Sequence, residues 1–288
     1  MNNLLNIGCG SVFHSSWTNI DLEPSSPEVQ ACDITKGLPY SDAEFDACYS
    51  SHLLEHLNKI EAKKLIKECF RILKPQGVIR VVVPDFENIV INYLKILEKI
   101  DSGVKEAEAD YDWIMLEIYD QFVRTFSGGE MYHYLINPNL SNKDFILSRI
   151  GLEAEKIFEN AEALKNQNIN INNNKKILKF LNKLKSKRPS WYLFKIQTFI
   201  LTNIAKIIAG NKAALGVKEG LFRQTGEIHR WMYDRFSLRR LLEKTGFINV
   251  RVCRADESSI PNFNSYGLDM IEGRIRKPDS LFMEGIKP

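Results

Sequence analysis

The sequence has few cysteines, and their spacing excludes two kinds of site. The 288 residues contain five cysteines, and no two of them form a Cys-x-x-Cys pair. An odd, scattered set of this kind argues against a disulfide framework and against a zinc site built from thiolates. The N-terminus also lacks the basic stretch and apolar run of a secretory signal. Together these absences predict a reduced protein in the cytoplasm.

Acidic residues are missing from one long stretch of the chain. Between Glu162 and Glu219 lie 56 residues with no Asp or Glu, and 12 of them are Lys or Arg. Such a basic block suggests a surface with its own partner. Because 191–209 is largely apolar with two lysines inside it, an interfacial helix is favoured, and 175–212 is expected to contact an anionic membrane. The alternative is an amphipathic cap over the active site. Aromatic residues do not alternate with the basic ones, so no nucleic-acid partner is expected.

Short apolar runs and one helical pattern alternate in the first part of the chain. Strand candidates lie at 4–7, 18–22, 29–33, 45–50 and 78–83, and a helical spacing of apolar residues covers 53–73. The run at 78–83 is unbroken, which is typical of a strand buried on both faces of a parallel sheet. The alternation therefore predicts an α/β fold with a doubly wound, mainly parallel sheet.

The rest of the chain is mostly helical in pattern until strand character returns near its end. A helix is expected at 237–245, stopped by Gly246, and strands are expected at 247–253 and 281–286. We therefore predict a core domain made of residues 1–88 and 226–288. The residues between them, 89–225, are predicted to form a helical insertion that caps the site.

The turn after the first strand contains glycines but lacks part of the dinucleotide-binding fingerprint. Gly8 and Gly10 open a strand-to-turn junction, and no third glycine follows. Asp21 comes eleven residues after Gly10, whereas a Rossmann unit places its acidic residue about 20 residues on. The first crossover helix must therefore be very short, which argues against a cofactor whose pyrophosphate needs a helix N-terminus.

Four segments at strand ends, LNIGCG, NIDL, CDI and FDACYSSHLLEHL, resemble the class I S-adenosylmethionine-dependent methyltransferases. More closely, they are similar to a short-start subfamily found in polysaccharide and antibiotic gene clusters. The resemblance implies a seven-stranded Rossmann-like sheet with S-adenosylmethionine as cofactor. It implies that Asp21 accepts the ribose hydroxyls, that Asp33 and Ile34 hold adenine, and that Ser50 and Ser51 face the methionine. The residues implied to line the cofactor site are Asn6, Gly8, Cys9, Gly10, Asp21, Leu22, Asp33, Ile34, Ser50 and Ser51.

One motif supports an enzyme of another class. His52-Leu-Leu-Glu55-His56 matches HxxEH, in which two histidines on one helix hold zinc and the glutamate acts as base. A zinc-dependent hydrolase is therefore the alternative function. Because the motif lies inside the methyltransferase-like pattern, we expect no metal in the site.

The resemblance further implies methyl transfer to an oxygen of a sugar, glycan or other small-molecule acceptor, hence a role in polysaccharide biosynthesis. A hydroxyl acceptor needs a base, and histidine suits that role near neutral pH. His229, in GEIHRWMYDRF, is the preferred base, with Asp234 and His133 as supporting candidates. Two alternatives remain: His229 fixes the insertion against the core, or the protein is a non-catalytic scaffold that binds the cofactor.

Overall fold

The computed structural model describes residues 3–168 and 189–288, and a seven-stranded sheet forms its centre. The strands along the chain are β1 (Leu4–Ile7), β2 (Thr18–Asp21), β3 (Val29–Ala31), β4 (Phe45–Ser51), β5 (Leu73–Pro84), β6 (Ile248–Cys253), β7 (Met270–Ile271), β8 (Arg274–Ile275) and β9 (Ser280–Ile286). The sheet order is β3-β2-β1-β4-β5-β9-β6, and β7 pairs with β8 as a separate hairpin. In this sheet β9 runs antiparallel to both of its neighbours, β5 and β6, and the other neighbouring strands pair in parallel. The predicted mainly parallel, seven-stranded fold is confirmed.

Helices in the described residues lie on the sheet and between β5 and β6. They are α1 (Lys59–Ile72), α2 (Phe86–Asp101), α3 (Ala107–Val123), α4 (Gly129–Leu135), α5 (Lys143–Asn168), α6 (Pro189–Phe222) and α7 (Arg235–Glu243). The predicted helix at 53–73 is shorter than expected, because Asn58 and Glu61 form a capping box that starts α1. Its first residues instead form a 3₁₀ turn, Leu54–His56.

Alternate side chains of the central strands pack into two separate cores. From β5, Ile79, Val81 and Val83 lie in the core that α1 and α7 cover. Val78 and Val82 face the opposite side, where Trp17 and Phe263 pack. This alternation follows from the two-residue period of a strand, and it explains the unbroken apolar run that the sequence shows there.

The second core also contains a buried ion-pair network that ties the end of the chain to the sheet. The Arg80 guanidinium is fully buried and donates to Asp269 at 2.8 Å and to Glu284 at 2.9 Å. Tyr49 donates to the same Asp269 carboxylate at 2.6 Å. A buried cation of this kind needs its acidic partners, so the network fixes the loop before β7 onto β4, β5 and β9.

All the elements described between β5 and α7 are helices, and they have their own small cores. Trp113 of α3 packs with Leu135 of α4 and Ile146 and Ile150 of α5. Residues 175–188 of the segment expected to contact a membrane lie outside the described residues. Among the helices that are described, none is both long enough and apolar enough to cross a membrane.

Candidate functional site

The turn after β1 has a backbone that only glycine adopts easily. Gly8 and Gly10 have φ of 66° and 54°. A Cβ on Gly8 would lie 2.7 Å from a methyl carbon of Leu53, so the turn packs directly against the segment after β4. At Gly10 an added Cβ would meet nothing within 4 Å. The turn therefore leaves open space beside its own backbone at the carboxyl edge of the sheet.

Asp21 joins this turn to the end of β2. One carboxylate oxygen accepts the Gly10 N–H at 2.8 Å, and the other accepts the Glu23 N–H at 2.9 Å. Each oxygen keeps a further lone pair, so the carboxylate can also accept hydroxyl groups of a ligand. Leu22 beside it is 63% exposed. The position and acceptor chemistry of Asp21 fit the ribose of S-adenosylmethionine.

Asn6 and Cys9 are placed to support the turn from inside. The Asn6 amide is buried and donates to Asn19 Oδ1 and to the Val12 carbonyl, both at 3.1 Å. Both of its N–H groups are thus used within the protein, and the structure gives Asn6 a structural role in place of the expected cofactor contact. Burial, with the charge of Asp21, raises the pKa of Cys9 to about 11. The Cys9 thiol is therefore neutral and can contribute packing but no charge.

Asp33 follows β3 as the N-cap of a 3₁₀ turn, Ile34–Lys36. Its carboxylate accepts the Thr35 hydroxyl at 2.6 Å and the Thr35 N–H at 3.1 Å. The hydrogen bond from the Thr35 hydroxyl is the main cause that lowers the pKa of Asp33. Ile34 is partly buried against the neighbouring core. Asp33 is thus an ionised acceptor beside an apolar side chain, which fits an adenine ring with its amino group.

The end of β4 lies between this edge and the helices. Ser50 is buried, and the Ser51 hydroxyl accepts a hydrogen bond from Arg276 at 2.9 Å. His52 follows with φ of 51°, and its ring contacts the Ser280 hydroxyl at 2.9 Å. Of the two serines, Ser51 is thus held by the loop that leads into β9.

Beside the ends of β4 and β5 lies a cavity of about 200 Å³. Residues of α3, α4 and α5 form one side of it, and the segments before α7 and β9 form the other. Its polar lining residues are His52, Glu117, Gln121, Arg124, Glu153, His229, Lys277 and Asp279. Its apolar lining residues include Ile89, Met131, Leu135, Ile150, Ile157 and Met232. Mixed walls of this kind are typical of small-molecule sites.

The histidines of the HxxEH motif do not share a helix face. His52 has a left-handed backbone at the end of β4, and only the 3₁₀ turn Leu54–His56 separates it from α1. The zinc-peptidase arrangement predicted as the alternative is therefore wrong for this chain. Glu55 and His56 lie instead beside His229, and the three side chains each place one ligand atom within 4.8 Å of the others.

Backbone hydrogen bonds hold His229 at this position. Its N–H donates to the Gln121 carbonyl of α3 at 2.9 Å, and the N–H groups of Arg230 and Trp231 donate to the Glu55 carbonyl at 2.7 and 3.2 Å. His229 is 5% exposed, and burial is the main cause that lowers its pKa well below the usual range. Its imidazole is therefore neutral at the cavity wall and can accept a proton.

The two supporting base candidates have other places in the fold. Asp234 is the N-cap of α7, and its carboxylate accepts the Ser237 N–H at 2.7 Å. This capping role stabilises the helix and replaces the expected role in proton transfer. The His133 side chain is 57% exposed and stacks on Phe126, and it does not line the cavity. The expectation that either supports His229 as a base is corrected by these positions.

Sequence patterns did not reveal several polar residues of the cavity. Gln121 lies on α3 and Arg124 directly follows that helix, and Lys277 and Asp279 come just before β9. Each lies far along the chain from the motifs at the strand ends, in a segment without a recognisable pattern. The sequence predicted a helical insertion at 89–225, but it did not show which face of α3 meets the cavity.

A comparison of the sequence with protein families identifies a methyltransferase domain at residues 5–81. These residues run from β1 into β5 and include the turns at Gly8, Asp21 and Asp33. A search of curated proteins finds no match. The match supports the predictions of a methyltransferase and of S-adenosylmethionine as cofactor for this segment of the chain.

Solved structures with similarity to this chain include three S-adenosylmethionine-dependent methyltransferases. One from Archaeoglobus fulgidus is 18% identical and covers 36% of this chain and 60% of its own, with a TM-score of 0.27. One from Methanosarcina mazei is 22% identical, and the match covers 33% of this chain and 59% of that structure, with a TM-score of 0.26. One from Mesorhizobium loti is 18% identical, and the match covers 31% of this chain and 48% of that structure, with a TM-score of 0.24. The chain thus spans 48% to 60% of the length of these structures. Residues 5–81 are similar in sequence to a methyltransferase domain, and the carboxylates of Asp21 and Asp33 lie at strand ends within this range.

Proposed function

We propose that this protein transfers a methyl group from S-adenosylmethionine to a hydroxyl oxygen of a sugar or glycan. The observation that carries the proposal is the position of His229. Its imidazole is buried and neutral in the wall of the cavity that lies beside the ends of β4 and β5. The glycan part rests on the resemblance of the strand-end motifs and the HRWMYD segment to enzymes of polysaccharide gene clusters.

Two adjacent regions of the chain would bind the cofactor and the acceptor. The turn at Gly8–Gly10, Asp21 and Asp33 would hold the cofactor, which supplies an electrophilic methyl group when bound. The cavity would hold the acceptor so that its hydroxyl lies in line with that methyl group, since alignment is a large part of such catalysis. His229 would take the proton of the acceptor hydroxyl onto its neutral ring. Helices α3, α4 and α5 would keep water out of the cavity.

Replacement of the proposed base tests the mechanism. For His229→Ala we expect turnover with saccharide acceptors to fall by about 10²- to 10⁴-fold, because a general base contributes on that order. Affinity for S-adenosylhomocysteine, measured by calorimetric titration, should not change. His133→Ala is the matched control, because that histidine is exposed outside the cavity. Unchanged turnover in His229→Ala would remove it from the mechanism, and wild-type protein that does not bind S-adenosylhomocysteine would overturn the methyltransferase proposal itself.

We also propose that α6 contacts an anionic membrane surface. Its exposed apolar side chains include Leu193, Ile196, Phe199, Ile204, Ile207 and Ile208, and Ile207 is 85% exposed. From Pro189 to Lys218 the helix contains lysines but no Asp or Glu. An apolar helix surface with only positive charges is suited to the headgroup region of anionic lipids. The segment expected from the sequence to contact the membrane also includes 175–188, which lie outside the described residues.

Vesicle binding tests this surface. Lys206→Gln with Lys212→Gln should weaken binding to anionic vesicles roughly 30-fold, since each lysine near such a surface contributes about 1 kcal/mol. Lys63→Gln with Lys67→Gln on α1 is the control, because it removes the same charge from another exposed surface. Equal co-sedimentation with neutral and anionic vesicles would contradict the proposal. A failure to bind either, with a dimer in sedimentation, would assign α6 to contact with a second copy.

A further inference from the structure

Glu55 is a buried acid without a hydrogen bond to either carboxylate oxygen in the described part of the chain. Its side chain is fully buried. His52 Nδ1 lies 3.2 Å from Oε1, an ion-pair distance, but outside the direction that a hydrogen bond requires. Buried polar groups nearly always have partners, so this carboxylate needs an explanation.

Two imidazoles, those of His56 and His229, lie beside the Glu55 carboxylate. The rings of His56 and His229 lie 4.8 Å apart between centroids and nearly perpendicular. His56 Nδ1 lies 3.2 Å from the Ile228 carbonyl. This contact favours the tautomer with the proton on Nδ1, which leaves the Nε2 lone pair free. A backbone carbonyl that orients the second ring nitrogen is the usual outer contact of a histidine that ligates a metal.

We propose that Glu55, His56 and His229 form a binding site for a divalent transition-metal ion of the zinc type. Two histidines and one carboxylate are a ligand set found in catalytic zinc sites. The three ligand atoms lie within 4.8 Å of one another. Ligand bonds of about 2.0–2.2 Å require a somewhat closer set, which small side-chain rotations would provide. The site would explain why the carboxylate has no other partner.

The charges around the site are compatible with a cation. Arg124 and Lys277 lie close enough to lower the pKa of His56 and His229, after burial as the main cause. Each of these two cations already has an acidic partner, because Arg124 pairs with Asp120 and Lys277 pairs with Glu153, both at 2.7 Å.

The ion would lie at the wall of the proposed acceptor cavity. His229 lines the cavity, so a further ligand could approach the ion from that side. The meaning of the site for the reaction rests on the proposed function: without the ion His229 acts as the base, and with the ion bound His229 would hold it while the ion polarises the acceptor hydroxyl. Metal binding itself does not depend on the proposed function.

Binding of Co²⁺ and Zn²⁺ to the full-length protein tests the site. Calorimetric titration with Zn²⁺ should show one ion per chain, and Co²⁺ should give the visible absorption of a site with nitrogen ligands. His229→Ala and Glu55→Gln should each lower the affinity by more than about 100-fold, since loss of a ligand exceeds the effect of an outer contact. His133→Ala, which removes an exposed histidine outside the cluster, should leave both signals unchanged.

Binding of S-adenosylhomocysteine by the same samples separates this inference from the proposed function. Wild-type protein that binds S-adenosylhomocysteine but takes up no stoichiometric Zn²⁺ overturns the metal site alone. Equal loss of Co²⁺ absorption in His133→Ala and His229→Ala also overturns it. If Glu55→Gln does not fold, His229→Ala still decides the question, with S-adenosylhomocysteine affinity as its folding control.

Discussion

At the scale of single residues, Asp21 has two roles in the cofactor region. Its carboxylate fixes the turn through the Gly10 N–H and remains free to accept further hydrogen bonds. Such bonds to a charged group contribute about 1.5–3 kcal/mol. Loss of the carboxylate therefore affects the shape of the turn and the contact to the ligand together.

Replacement of Asp21 should show this double role. For Asp21→Ala we expect S-adenosylhomocysteine affinity to fall by roughly 10- to 150-fold, which corresponds to one charge-assisted hydrogen bond. Calorimetric titration measures it. Glu28→Ala removes an exposed acid from the same β2–β3 connection and serves as control. If both variants bind equally well, Asp21 does not contact the ligand.

Residue types alone predicted some roles at the site and not others. Asp21 and Asp33 were predictable because Asp21 ends β2 and Asp33 lies two residues after β3, and the strand ends of a parallel sheet meet at one edge. Asn6 lies within β1 and Asp234 caps α7, and the hydrogen bonds of both side chains are made within the protein. Which way a polar side chain turns depends on neighbours that the sequence does not show.

At the scale of elements, α5 is broken where it meets the loop before β9. Gly151 has φ of 54° inside this helix. A Cβ there would lie 2.6 Å from Pro278 and 2.9 Å from the Arg276 carbonyl. The break thus lets the loop with Lys277 and Asp279 approach the cavity closely, and it needs glycine for both conformation and space.

Alanine at Gly151 should therefore destabilise the protein. We expect the free energy of unfolding to fall by at least about 1–2 kcal/mol, the cost of a left-handed backbone for an alanine, with the contact to the Arg276 carbonyl in addition. Gly216→Ala is the matched control in α6, where an added Cβ meets nothing within 4 Å. It should be neutral or slightly stabilising. Urea unfolding measures both, and an equal effect of the two variants would contradict this account.

At the scale of the whole molecule, the cavity makes stability depend on pH. Asp279 is partly buried at the cavity wall, and its Oδ1 is inaccessible to solvent and has no hydrogen-bond partner within the residues that the structure describes. Burial, with the charge of Glu117, raises its pKa, while Lys277 and Arg149 counteract part of the shift. A carboxyl with a raised folded pKa binds its proton more tightly in the folded state, so stability falls as pH rises above the unfolded value of about 4.

Asp279→Asn should therefore flatten the pH profile of stability. We expect the loss of stability with rising pH to decrease by up to about 1.4 kcal/mol per pH unit, the effect of one proton. Urea unfolding at a series of pH values from 4 upward measures this slope. Asp256→Asn, an exposed residue paired with Arg254, should keep the wild-type slope. Identical profiles for Asp279→Asn and the wild type would show that Asp279 does not titrate in this range.

The sequence by itself determined the sheet and the region that holds the cofactor. Strands β1 to β5 appear as local apolar runs, and the residues that end them follow within a few positions, so short-range pattern was sufficient. Only the tertiary structure decided which side chains meet at the cavity. Glu55 and His229 are 174 positions apart, and backbone hydrogen bonds between segments bring them together. Such contacts depend on how helices pack, and apolar periodicity predicts that a helix forms but not which neighbour its face will meet.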